Sequence, residues 1–345
     1  MRAWRVHEYG QPTEVLRLDE VEIPVPGPGE VRVKAQAIPL NLNDLERITG
    51  GNMMVRPEFP YSPGMEAFGI VDACGEGAEE WMGKRVAAVT KQAFGGFAEY
   101  VICPTIAAFE IDEAIPLPDA AALFFPFHLA WLGLIDRAGL KAGDTVLVHA
   151  GAGGAGSAAI QLAKAFGARV YATAGGPEKV ALCRELGADV AIDYLSEDFK
   201  AVVLADTDNL GVDIVFDNVG EAVMPDSFAC TAYNGTYLMM GFASNKVVAD
   251  EKFIVPRHVT MGNFKLCGVL LNYQSEEMIG VIKQGMGWNV APRELGEIAT
   301  ADIVELVKSG AVRAVVGSAP SFEELPAAME AMASRNTTGR VIVML

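Results

Sequence analysis

Thr145-Val-Leu-Val-His-Ala-Gly-Ala-Gly-Gly-Ala-Gly-Ser157 reads as a short apolar strand, a glycine-rich turn and the opening of a helix that continues over 158–166. A dinucleotide phosphate needs its binding parts in that order. Gly151 suits a tight turn off the strand, Gly153 leaves no side chain between backbone and pyrophosphate, and Gly156 lets the helix approach the strand. The backbone of Gly151, Ala152, Gly153, Gly154, Ala155 and Gly156 then offers N–H groups at a helix start, where the macrodipole favours an anion. Glycine-rich turns also occur without any phosphate. Here a second apolar strand at 168–174 follows at the distance of a β-α-β crossover, and 180–190 repeats the pattern, which favours the cofactor reading over a mere turn.

In sites that prefer NAD the second strand commonly ends in a carboxylate that bonds the ribose 2′-hydroxyl, roughly 20 residues beyond the glycines. This chain has Ala174, Gly175 and Gly176 there. With no carboxylate to repel it, a 2′-phosphate has room. Lys179, one helical turn on, can supply a point charge, and Tyr194, closing the third strand, can donate its hydroxyl. NADPH is therefore the expected cofactor. Taken alone, Lys179 reads as a solvated helix residue, and Glu178 beside it weakens the local field, so the expectation rests on the missing carboxylate.

The 345 residues are too many for one ordinary domain and suit two. Apolar residues make up 51% and charged residues 21%, enough for a sizeable core. The formal charge of −17 disfavours nucleic acid and anionic membrane surfaces as partners. Cys74, Cys103, Cys183, Cys230 and Cys267 are widely spaced with no C-x-x-C pair. That argues against a zinc knuckle or a redox dithiol and for reduced, mostly buried thiols in a cytoplasmic protein. The opening 1–7 has no apolar signal core, so export is not expected. The most apolar segment, 120–135, is shorter than a membrane span and reads as a buried helix with an irregular start.

Up to about residue 118 the signals are short strands between turn residues: 21–23, the alternating 30–38, 67–73, 85–90 and 97–102, which together predict a β-rich, barrel-like domain. From about 120 to 272 strands alternate with helices, the signature of a doubly wound parallel sheet. The tail offers helices at 301–308 and 322–333 and a closing strand at 340–345. A lone strand cannot stand unpaired, so the tail is expected to return to the first sheet. The cofactor domain, 123–272, is then inserted in a domain made of 1–122 and 273–345. The apolar 264–271 would lie at the edge of the parallel sheet.

With these elements in place, the chain resembles the zinc-independent medium-chain dehydrogenases/reductases of the quinone oxidoreductase, or zeta-crystallin-like, group. The resemblance covers nearly the whole length. It includes Pro24-Val-Pro-Gly-Pro-Gly-Glu-Val31, Asn41-Leu-Asn-Asp44, Pro63-Gly-Met-Glu-Ala-Phe-Gly-Ile-Val71, Gly95-Gly-Phe-Ala-Glu-Tyr100, Asp213-Ile-Val-Phe-Asp-Asn-Val-Gly220 and Ser334-Arg-Asn-Thr-Thr-Gly-Arg-Val341. It implies a Rossmann sheet inserted in a GroES-like catalytic domain, and a homodimer joined through the sheet edge at 264–271.

The resemblance also assigns roles. Zinc alcohol dehydrogenases of the superfamily carry a cysteine in the place of Asn41 and a histidine in the place of Met65, so no metal site is expected here. Asn41 is implied beside the nicotinamide, with its amide bonding the ring, the ribose or a substrate carbonyl. Asn218, Val219 and Gly241 would pass the ribose and nicotinamide, and Arg335 would reach the 2′-phosphate with Lys179 and Tyr194. Two departures stand out. Leu129, preceded by His128, replaces a threonine common in relatives, and a tyrosine common after the Gly50 region gives way to Gly51-Asn-Met-Met54.

Hydride transfer to a quinone or an α,β-unsaturated carbonyl compound needs no strong protein acid, because conjugation carries the charge to an oxygen that water can protonate. That is the leading expectation. His128 is the candidate proton donor by its free pKa, although a single histidine in an apolar helix is more often a packed residue. Asp44 is a candidate base, read in preference as a support for the Asn41 loop. Two alternatives stay open: an enoyl-thioester reductase, and a non-catalytic, crystallin-like protein that binds NADPH.

Overall fold

The computed structural model describes residues 1–51, 55–240 and 254–345. The chain divides into two units: Met1–Phe124 with Asn272–Ala301 and Val316–Leu345, and Phe125–Leu271 with Asp302–Val315.

In the first unit a seven-stranded sheet is built mostly from antiparallel neighbours. Its central strand, Glu30–Pro39, buries Val31, Val33, Ala35 and Ala37 on one face, the alternation its sequence predicts. Glu66–Cys74 and Tyr100–Pro104 pair with it antiparallel. The closing strand, Arg340–Met344, returns to the same sheet as expected, placing Ile342 opposite Pro39 and Met344 opposite Ala37.

The expected strand at 21–23 does not form. Instead Leu16–Glu20 pairs antiparallel with Arg2–Val6. Val21 and Ile23 run into Pro24 and Pro26, which have no N–H to give a ladder. The strand expected at 97–102 starts later, at Tyr100. Phe97 and Ala98 are apolar because they sit in the core, and Ala98 makes only an isolated bridge to Ala3.

The second unit carries a six-stranded parallel sheet in the order Val190–Asp193, Arg169–Ala174, Thr145–Val148, Val212–Asp217, Thr231–Met239, Lys265–Gly268. The chain leaves Thr145–Val148 in one direction and returns on its other side with Val212–Asp217. The carboxyl end of Thr145–Val148 is therefore the topological switch point, where such sheets bind ligands. The helix Gly154–Ala165 that follows is buried over eight consecutive residues, Gly156 to Ala163. Its many alanines let it lie close to the sheet on one side and its surroundings on the other. Lys265–Gly268 is an outer strand, as the sequence suggests.

The tail departs from the expected division, in which all of 273–345 joined the first domain: Asp302–Val315 groups with the second unit. The buried amide of Gln161 clasps it, with Nε2 donating to the Arg313 carbonyl (3.0 Å) and Oε1 accepting from the Arg313 N–H (2.9 Å). Trp131 Nε1 donates to Asp302 Oδ2 (3.0 Å). The apolar run 120–135 is longer than its sequence suggests. It forms a helical stretch, Asp119–Arg137, of 19 residues, long and apolar enough to cross a membrane by length and composition, yet most of it is buried inside the protein. It is irregular along its length, ending in a wide helical turn at Leu132–Arg137. The five cysteines are free thiols, and Cys103, Cys183 and Cys230 are buried.

Candidate functional site

The turn after Thr145–Val148 is shaped by close approaches. Ala150 takes the left-handed conformation (φ 50°), a role the sequence reading gives to Gly151. What Gly151 requires is space: a Cβ there would lie 2.9 Å from Cys183 Sγ and 3.0 Å from Ile160 Cδ1. At Gly156 a Cβ would lie 2.2 Å from the Ala150 carbonyl oxygen, so only glycine lets the helix meet the turn. Gly153 caps the helix and is less crowded, its Cβ position 3.3 Å from the same oxygen. Ala152 is buried within the turn, and Gly154 and Ala155 open the helix. The result is a helix start whose backbone approach is free of side chains, the cradle a pyrophosphate needs.

His149, under this turn, is locked by two side chains. Ser227 donates its proton to the Val223 carbonyl (2.7 Å), so the 2.8 Å contact of His149 Nε2 with Ser227 Oγ has the ring as donor. Nδ1 then accepts from Thr173 Oγ1 at 3.0 Å. Burial holds this ring neutral by lowering its pKa. The ring ties the ends of two neighbouring strands to the helix Met224–Cys230.

At the ends of the second and third strands, Gly175 and Tyr194 fit each other. A Cβ on Gly175 would lie 2.6 Å from the Tyr194 hydroxyl, so the phenol is stacked onto the bare glycine at the corner beside Ala174. Gly176 (φ 89°) caps the helix Pro177–Glu185, which carries Lys179 in its first turn. The same corner holds a carboxylate that sequence reasoning missed: Asp193 Oδ1 accepts from the Gly176 N–H (2.9 Å) and the Leu195 N–H (3.1 Å). Parallel pairing of Asp193 with Ala174 brings it there.

At the end of Val212–Asp217, the buried Asp217 accepts from Val219 N (2.7 Å), Gly220 N (3.0 Å) and the Tyr237 hydroxyl. The N–H of Val219 is thus committed to the fold, leaving its carbonyl for a ligand. Asn218 Oδ1 is buried with no hydrogen-bond partner among the described residues. Such an atom needs a donor, and a ribose hydroxyl or carboxamide N–H supplies one. This orphan and the side-chain-free turn both fit a dinucleotide. Gly241 lies outside the described residues.

In the first unit, Asn41 belongs to a buried polar knot. Its Nδ2 donates to Glu66 Oε2 (3.0 Å) and to the Pro39 carbonyl (3.3 Å), while Oδ1 accepts from Arg340 Nη1 (2.9 Å). Arg340 Nη2 also meets Glu66 Oε2 at 2.5 Å, with the two side chains 7% and 1% exposed. Glutamate offers only acceptors here and arginine only donors, so the orientation of the amide is fixed. Both N–H donors of Asn41 are therefore in use, and the amide can offer a ligand only an acceptor. This narrows the role implied from the sequence: donation to a substrate carbonyl is not available.

Asp44 completes the knot. Its Oδ2 accepts from Asn41 N and its Oδ1 from Met65 N, both at 3.0 Å, which pins the start of the helix Leu42–Thr49 to the strand beginning at Glu66. Burial pushes its carboxyl up to about 6, opposed by Arg47 and the two N–H donors. Glu66 and Arg340 were not singled out from sequence, although a signal was present. Each is a charge that opens a mostly apolar strand, and a charge in that place needs a partner.

His128 is 2% exposed, and burial lowers its pKa to about 3. The ring is neutral near pH 7, so it holds no imidazolium proton to give. Arg335 stands in the left-handed conformation (φ 57°) after the helix Leu325–Ala333, in the first unit, whereas Lys179 and Tyr194 belong to the second.

Two family models match the chain: one described as alcohol dehydrogenase GroES-like domain over residues 27–113, and one described as zinc-binding dehydrogenase over 154–284. A probable quinone oxidoreductase of Schizosaccharomyces pombe is 33% identical over 249 residues, 71% of this chain and 74% of that protein. Quinone oxidoreductase of Sus scrofa is 28% identical over 348 residues, covering 100% of this chain and 98% of the relative. Among solved structures, Escherichia coli quinone oxidoreductase complexed with NADPH superimposes with a TM-score of 0.85 at 25% identity, covering all of both chains. The residues at 41 and 65 are not the ligands that zinc favours, and the amide of Asn41 is held by a guanidinium and a carboxylate. The chain belongs to the zinc-independent quinone oxidoreductase group of the medium-chain dehydrogenases/reductases, an oxidoreductase family that works with a nicotinamide cofactor.

Proposed function

We propose that this protein is an NADPH-dependent reductase that transfers hydride to quinones or α,β-unsaturated carbonyl compounds without zinc. The observation that carries the reading is the turn Ala150–Gly156, where close packing at Gly151 and Gly156 keeps the start of a buried helix bare at the switch point of the sheet. Gly151 to Gly156 would hold the pyrophosphate, and Asn218 the ribose or carboxamide. Ala174, Gly175, Gly176, Lys179 and Tyr194 would face the 2′-phosphate. When bound, the reduced nicotinamide supplies a hydride to an electrophilic carbon.

The chain's own residues then shape the reaction by what they withhold. Asn41 has no N–H left for a substrate oxygen, and the buried His128 is neutral and brings no imidazolium. The oxygen that gains charge is therefore protonated from water, which suits conjugated acceptors and disfavours isolated ketones. We further propose a homodimer formed along the outer strand Lys265–Gly268.

The test mixes purified protein with NADPH and, separately, a benzoquinone, an alkenal and a crotonyl thioester, and follows loss of the reduced-nicotinamide absorbance. Turnover of quinone or alkenal with NADPH, and weaker turnover with NADH, is expected. Faster turnover of the thioester would reassign the substrate, and tight NADPH binding without turnover of any acceptor would remove the enzyme reading.

A further inference from the structure

We infer that Asp193 limits the preference of this protein for NADPH over NADH, its carboxylate standing in, from the third strand, for the acid missing at the end of the second. The inference rests on the reading of the Gly175–Tyr194 corner as the place of the adenosine 2′ end.

Asp193 is paired with Ala174, and its Oδ1 accepts from the Gly176 N–H at 2.9 Å. Gly176 caps the helix Pro177–Glu185, so its N–H is one of the donors a phosphate at that helix start would use. The carboxylate already has it, and Pro177 contributes no N–H at all. A helix start that looks ready for an anion has thus lost two donors and gained a negative charge. A 2′-phosphate beside Tyr194 meets that charge, with Lys179 and the hydroxyl set against it. A 2′-hydroxyl meets no such repulsion and can donate to a carboxylate.

Asp193 also positions the corner. The second acceptor contact, from the Leu195 N–H at 3.1 Å, brackets Tyr194 between two anchored residues and holds the phenol on Gly175. Charge and anchoring can be separated, because an asparagine carbonyl accepts the same two N–H groups without the charge.

The experiment measures the dissociation constants of NADPH and NADH by fluorescence titration at fixed ionic strength, for the natural protein and for Asp193→Asn. NADPH is expected to bind about fivefold more tightly to the variant, with NADH changed by less than about twofold. An unchanged ratio, or an equal change for both nucleotides, would overturn the inference, since a purely structural residue moves the two together. Asp193→Ser, a shorter neutral acceptor, is expected to move the ratio in the same direction and replaces the first variant if that one does not fold. Failure of the natural protein to bind either nucleotide would instead remove the underlying reading of the corner.

Discussion

The glycine turn at 150–156 and the polar knot around Asn41 prepare for chemistry in opposite ways. The turn keeps a helix start bare of bulky side chains, with the N–H groups of Gly151 and Gly153 spent on the Thr173 and Ala150 carbonyls, so its remaining capacity is for a ligand from outside. In the knot, Asn41, Asp44, Glu66 and Arg340 are each at least nine-tenths buried and hydrogen-bonded mainly to one another. One region is specified by what is absent and fails by intrusion. The other is specified by charges that must be present together and fails by loss of a partner.

The largest expected effect breaks the knot. Arg340→Met leaves the Glu66 carboxylate buried without its cation and is expected to lower unfolding stability by about 3–5 kcal/mol in urea titration. Adding Glu66→Gln should restore a large part of it, because the uncompensated charge is then gone. A single variant that loses less than about 1 kcal/mol would show that the knot does not behave as a buried ion pair.

Intrusion into the turn comes next and separates packing from ligand capacity. Gly156→Ala drives a Cβ to 2.2 Å from the Ala150 carbonyl oxygen. It is expected to cost about 1–3 kcal/mol in stability. Gly153→Ala, with 3.3 Å to spare, should keep stability within about 0.5 kcal/mol while weakening NADPH binding at least about tenfold. Equal melting points for both variants would contradict the geometry of the turn.

Acidification reads both regions at once. His128 and His149 have pKa values below the ordinary 6.5, so the unfolded chain binds their protons first and stability falls as pH drops through that value. Asp44 acts in reverse. Its folded carboxyl is raised to about 6, so it contributes most below its unfolded value of 3.8, and that contribution is lost as pH rises through about 6. On unfolding His128 and His149 take up protons while Asp44 releases one, so the net slope of stability is downward on acidification below about pH 6. His128→Gln should flatten that slope in pH-dependent urea titrations. The smallest effect belongs to Tyr194→Phe, expected to weaken NADPH about fivefold without altering NADH binding or stability.

How much of this is legible in the chain depends on the range of the interaction. Gly151, Gly153 and Gly156 could be placed from local order alone, since strand, turn and helix are successive segments. The role of Ala150 could not, because glycine is the residue one assigns to a left-handed turn. Asp193 is not legible because its partner, Gly176, lies beyond the end of a different strand, and only the parallel register brings a carboxylate to the corner where the second strand lacks one. Arg340 and Asn41 are 299 residues apart, joined when the last strand closes onto the first sheet.

The sequence by itself determined the two-domain plan, the doubly wound sheet, the tail strand's return and the glycine turn, because each follows from periodicity and steric rules acting over a few residues. Tertiary structure alone decided which donors of Asn41 are already taken, that Asp302–Val315 joins the second unit through Gln161, and that the Asp193 carboxylate reaches the corner of Gly175, Gly176 and Tyr194. Those outcomes depend on hydrogen bonds between segments distant in the chain. Their partners are selected by sheet register and burial, and neither quantity is carried by any one stretch of residues.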